Sequence, residues 1–139
     1  MKKRALPVLG LIALTCALGC PGDGSRIPGM LGPPPATTLA TLQNAIFTPI
    51  CAPCHQPGGI GPMPLDSEAA TFANLVDVDS IEIPTLKRVA IGDAENSYLV
   101  WKIEARPTIL FDPMPLGGPM LSQAEIDMIR DWIDAGAQP

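Results

Sequence analysis

The chain is poor in the side chains that most enzymes and metal centres rely on. Its 139 residues include a single histidine, and aromatic residues make up only 4%. One histidine excludes zinc sets built on two, and none of the four cysteines is left without another assignment. So few aromatics leave a chain of this length with a small core. Positive charge is also short: 9 Lys and Arg stand against 14 Asp and Glu, a formal net charge of −5. That balance disfavours nucleic acid, which needs a basic face. The apolar run from Ala5 to Leu18 falls short of the ~20 residues that cross a bilayer. Strand alternation is absent, and with it the βαβ setting of a thiol redox site. What the chain does hold in quantity is proline and glycine, 17 and 13 residues.

The one histidine closes the run Cys51-Ala52-Pro53-Cys54-His55. C-x-x-C-H is the attachment pattern of a c-type haem. Two thiols at this spacing can add to the two vinyl groups of one porphyrin, and the adjacent imidazole reaches the iron from one face. The alternative reading is a redox dithiol at Cys51 and Cys54, which lacks its usual βαβ context here. A second histidine cannot supply the sixth iron ligand. Methionine is the natural soft partner, and His/Met ligation raises the reduction potential. Of six methionines, Met1 falls in the leader, Met30 in a proline-rich stretch and Met128 inside the last expected helix. Met63, Met114 and Met120 remain.

The N-terminus reads as an export signal: Met1-Lys2-Lys3-Arg4, an apolar stretch, then small residues. Ala17-Leu18-Gly19-Cys20 resembles the lipobox of bacterial lipoproteins, with Ala17 where leucine is usual. This implies a signal peptide over 1–19 and a lipidated Cys20; a plain signal cut near Cys20 is the alternative. Pro21, in place of aspartate, favours the outer membrane of a Gram-negative cell. Residues 20–38, with Pro33-Pro34-Pro35, read as a tether reaching on the order of 20–25 Å. The expectation is an exported, lipid-anchored protein on the periplasmic side of the outer membrane or at the cell surface. With Cys16 in the signal, no cysteine pair remains for a disulfide.

Residues 39–139 carry a helical pattern. Leu39, Leu42, Ala45, Ile46 and Ile50 form one stripe leading into the motif, with Pro49 expected to end or kink that helix. Ser67 is an N-cap candidate for a helix through Ala69, Phe72 and Val76. A third helix is expected from Asp93 or Ala94 through Ile103, ended by Arg106-Pro107. Ser122-x-x-Glu125 is a capping box, Leu121 and Ile126 a hydrophobic staple, and Gly136 a C′ residue for the last helix. The fold class expected is all-α: about four short helices with long Pro/Gly-rich loops around one haem.

From the haem motif onward the chain resembles small bacterial class I-like cytochrome c domains. The resemblance rests on Cys51 to His55, Gly58-Gly59, Gly92-Asp93, Ser97-Tyr98-Leu99 and Asp112-Pro113-Met114-Pro115-Leu116. It continues through Leu121-Ser122, Glu125-Ile126, Ile129-Arg130-Asp131-Trp132-Ile133 and Gly136-Ala137. It implies that the helix before the motif packs on the last helix, and that a Met-Pro loop ahead of the last helix gives the distal ligand. Met114 stands at that place, between two prolines that restrict the loop and remove competing amide donors. Met120, beside Pro119, is the competitor, and Met63 lies close to His55 for crossing to the opposite face. The resemblance also makes a backbone carbonyl near Pro62 the acceptor for the second nitrogen of His55. Tyr98, Trp101, Leu65 and Leu99 are candidates for haem-pocket walls or for helix–helix core. Lys87, Arg88 and Lys102 are candidates for pairing with haem propionates or for solvated positions.

The function these residues predict is one-electron transfer through a single covalent haem c, without catalysis by the chain itself. An acidic surface calls for redox partner proteins of the envelope with a basic docking face. Three alternatives stay open. They are a five-coordinate haem sensor or peroxidase-type domain, a thiol–disulfide oxidoreductase using Cys51 and Cys54, and an interaction module stapled by its haem.

Overall fold

A computed structural model describes residues 36–139. The expected signal peptide, Cys20 and the tether up to residue 35 lie outside the described residues. Residues 36–38 carry no regular secondary structure, and Thr38, the last residue of the expected tether, is extended. Its Oγ1 accepts from the Thr41 N–H at 3.2 Å and so caps the first helix.

Four α-helices follow, and the described residues form no strand beyond isolated pairings such as Val76 with Val89. The first helix, α1 (Leu39–Leu42), passes directly into a π-helical segment, Gln43–Cys51. Pro49 does not end this helix but sits inside it. In an α-helix a proline clashes with the carbonyl four residues back and offers no N–H. The wider π register relaxes that contact, and Ala52 N–H closes the last turn onto the Phe47 carbonyl at 2.7 Å. The helix therefore runs on to Cys51 and delivers the motif at its end.

Ser67 caps α2 (Glu68–Leu75), its Oγ accepting from Ala70 N–H at 3.3 Å. The next helix, α3 (Tyr98–Ile103), starts later than Asp93 or Ala94. Local side-chain bonds hold the intervening residues in a turn. Asp93 accepts from the Asn96 N–H at 3.0 Å, and the Ser97 hydroxyl bridges the Ala90 N–H and the Asp93 carbonyl. Such bonds compete with helix for the same backbone groups. The helix stops at Ile103, before Arg106-Pro107, with Ala105 in the left-handed region at φ 52°.

The last helix, α4 (Gln123–Asp134), has both halves of the Ser122/Glu125 capping box. Its far end is a Schellman motif. Ala137 N–H donates to the Trp132 carbonyl at 2.9 Å and Gly136 N–H to Ile133 at 2.9 Å, with Gly136 at φ 107°. The staple residues Leu121 and Ile126 are both buried.

Leu39, Leu42, Ile46 and Phe47 from the first helical run meet Ile126, Ile129, Trp132 and Ile133 of α4 in one core. Leu75, Val89, Val100 and Ile103 also belong to it. Burial of each large aliphatic side chain contributes about 1.5–3 kcal/mol. The loop before α3 docks on the end of α4, where Gly92 N–H donates to Ile133 O at 3.0 Å and Ala94 N–H to Asp134 Oδ1 at 2.8 Å. No helix among the described residues is long and apolar enough to cross a membrane.

Candidate functional site

Cys51 is the last residue of the π-helical segment, and its carbonyl accepts from the amides of both Cys54 and His55, at 3.2 and 2.9 Å. The C-x-x-C-H run is thus one tight turn continuing the helix. Both thiols are free and partly buried. Burial, then the neighbouring Cys54, pushes the Cys51 thiol up to about 11.

His55 is 9% exposed, and its Nδ1 is buried with no hydrogen-bond partner. Burial moves its pKa below the ordinary imidazole value, with the backbone of Met63 acting in the opposite sense. The backbone of Met63, next to Pro62, thus acts on the ring without making a hydrogen bond of ordinary geometry to Nδ1. Gly61 lies against the same ring: a Cβ there would come within 2.3 Å of Nδ1 and 2.5 Å of Cε1. Gly59 is equally close to the chain, since its Cβ would meet the Cys54 carbonyl oxygen at 2.3 Å. The loop after the motif folds tightly over the imidazole only because both positions lack a side chain.

That loop is held at its far end through Leu65, by side chains the sequence did not single out. Leu65 N–H donates to the His55 carbonyl at 2.7 Å, and the Leu65 carbonyl accepts from Gln43 Nε2 at 3.0 Å. Gln43 is itself buried and accepts from the Thr71 hydroxyl at 2.8 Å. Asn74 Nδ2 donates to the Pro64 carbonyl at 3.0 Å. A chain of side-chain bonds thus ties the first helical run and α2 to the backbone of His55. The available signal was Gln43 itself, a polar residue four places after Leu39 and three before Ile46, on the apolar stripe.

The three candidate methionines occupy different settings. Met63 packs partly buried against the core, within the loop that covers His55. Met114 is partly buried, and its N–H donates to the Lys102 carbonyl at the end of α3 at 3.0 Å. Met120 is 44% exposed. Of the suggested pocket or core residues, Leu65 and Tyr98 are buried, and Leu99 packs against the core. Trp101 is instead drawn to the surface network, donating to the Glu95 carbonyl at 2.6 Å with Arg106 over its ring.

None of the three basic candidates is simply solvated. Lys87 pairs with Asp79 at 2.8 Å and with Asp77 at 3.4 Å. Arg88 donates to the Asn74 carbonyl at 2.7 Å. Lys102 is buried and pairs with Glu82 at 2.9 Å.

The donors that a covalent haem would use, two thiols and the adjacent imidazole, lie in one turn. Among the described residues no group of three or more His, Cys, Asp or Glu is placed to hold a metal ion. No family model, curated protein or solved structure matches the chain.

Proposed function

We propose that the chain is a mono-haem c-type cytochrome of the bacterial cell envelope, with the cytochrome c-like arrangement that its resemblance implies. Cys51 and Cys54 would hold the porphyrin through thioethers, and His55 would bind the iron. Met114 would supply the sixth ligand, with Met120 as the alternative. The bound group supplies a reversible Fe(III)/Fe(II) couple, and the chain binds it, orients it and keeps water from it.

The single observation that carries this reading is the C-x-x-C-H turn at the end of a helix, with His55 held by its own loop. Gly59 and Gly61 let that loop close on the imidazole, and Gln43, Thr71 and Asn74 brace it. Such bracing fixes ring orientation, which a metal-ligating histidine requires. The raised Cys51 thiol opposes the rival dithiol chemistry, because the thiolate is the nucleophile there.

An acidic surface, made more so by removal of Lys2, Lys3 and Arg4 with the signal, would favour partners with a basic docking face. Lipidation of Cys20 would anchor the domain to a membrane without a spanning helix.

The test is the optical spectrum of the purified protein, oxidised and reduced, for wild type and for Met114→Ala and Met120→Ala. A sharp reduced α-band and the weak ferric sulfur-to-iron band support His/Met ligation, and the variant that loses the latter names the ligand. A high-spin iron in the wild type would move the assignment to a five-coordinate sensor or peroxidase-type domain.

A further inference from the structure

The region that delivers Met114 is held by a polar cluster in which two buried side chains of α3 meet the half-buried Glu82. Lys102 Nζ, on a side chain 9% exposed, makes three bonds. Two go to Glu82, at 2.9 and 3.2 Å, and the third to the Leu110 carbonyl at 2.9 Å. Tyr98, one turn earlier, donates to the Glu82 carboxylate. The same hydroxyl accepts from the Leu110 N–H at 3.0 Å. Both backbone groups of Leu110 are thus gripped by side chains of one short helix. The carbonyl of Lys102 then takes the Met114 N–H at 3.0 Å, a second hold on the same segment.

Between these two holds, Phe111 sits at φ 57° and is 80% exposed. A bulky residue in the left-handed region is costly, and it persists only where its surroundings over-determine it. A buried lysine–carboxylate pair is weak evidence for stability, since desolvation opposes the attraction. Its three satisfied donors, aimed at one backbone segment, fit a geometric role better.

We propose that Lys102, Tyr98 and Glu82 are positioning residues that set where the Met114 thioether stands, and thereby how fully it binds the iron. The inference rests on the haem reading above. Lys102 and Tyr98 act on Leu110 directly, while Glu82 acts by fixing their heads. Removing the ammonium releases the Leu110 carbonyl and strands Glu82. Removing the Tyr98 hydroxyl releases the Leu110 N–H.

The experiment compares the holoprotein with Lys102→Met and Tyr98→Phe, and with Ser122→Ala as a destabilised control at the α4 cap, whose side chain bonds Glu125 and no member of the cluster. The readouts are the ferric sulfur-to-iron band, the reduction potential, and hydrogen exchange at the Leu110 and Met114 amides. Expected are retained covalent haem, loss of most of the band and a lower potential in Lys102→Met. A smaller change of the same sign is expected in Tyr98→Phe. Exchange at both amides should rise by about tenfold in Lys102→Met, and the control should move none of these readouts.

If Lys102→Met fails to fold, Tyr98→Phe decides by the same readouts. Lower thermal stability with band, potential and exchange unchanged would make the cluster structural only and overturn the proposal. A wild-type holoprotein without the band would overturn it too, while leaving the covalent haem intact. A wild type without haem would overturn both readings.

Discussion

Substituting alanine at Gly61 tests the loop over His55 with a single methyl group. No left-handed conformation marks Gly61, so its backbone is open to alanine, whose stiffer unfolded chain alone would add about 0.4–1 kcal/mol of stability. Against this stands the contact of the new Cβ with the imidazole, at 2.3 Å from Nδ1, 2.5 Å from Cε1 and 2.8 Å from Cγ. These are far inside van der Waals contact, and the ring is buried, with the His55 carbonyl held by the Leu65 amide. Over-packing of this kind costs about 1–3 kcal/mol. The net expectation is a loss of roughly 1–2 kcal/mol, or about 4–8 °C in Tm per kcal/mol for a domain of this size.

Gly58→Ala separates the two causes. Gly58 has φ 77° with nothing within 4 Å of its Cβ, so it reports conformational strain alone, about 1–2 kcal/mol. Both variants should lose stability in guanidinium unfolding, but only Gly61→Ala should alter the spectrum of the proposed haem, whose iron His55 would bind. A Gly61→Ala protein as stable as wild type, with an unchanged spectrum, would refute the close approach of loop to ring.

Further outcomes follow from the bracing and the caps. Gln43→Met, which leaves the Leu65 carbonyl and the Thr71 hydroxyl without their partner, should cost about 1–3 kcal/mol, and a double-mutant cycle with Thr71→Val should show coupling of at least ~0.5 kcal/mol. The hydrogen bonds of Ser122 hold the Glu125 carboxyl below the ordinary glutamate value of 4.5. Its stabilisation is therefore complete above that value and lost as pH falls through the lowered one. Ser122→Ala should cost about 1 kcal/mol and flatten that acid limb in thermal melts across pH. Cys20→Ser should release the protein from membranes in fractionation; persistent association would defeat the lipid-anchor assignment.

Much of this was legible in the sequence because it is local. The Ser67 and Ser122 caps, the Gly136 stop and the staple of Leu121 and Ile126 are encoded within a few residues of where they act. The start of α3 was missed because Asp93, Asn96 and Ser97 form turn bonds that a hydrophobic stripe does not register. Pro49 does not end the first helical run, because a π register can absorb a proline that an α-helix expels. The braces were hidden for another reason. Gln43 meets Leu65 and Thr71, and Lys102 meets Glu82, only through tertiary contact, and a polar residue on an apolar face does not name its partner.

The measurement that reaches the central claim most directly is the pyridine haemochrome of the chain after acid–acetone extraction, made in a host competent for haem c maturation. The account predicts that the haem stays with the protein, shows the absorption of two thioether links, and is lost from the chain in a Cys51→Ala, Cys54→Ala double variant. Haem that is extracted into the solvent, or a chain that carries none with two free thiols, would contradict it.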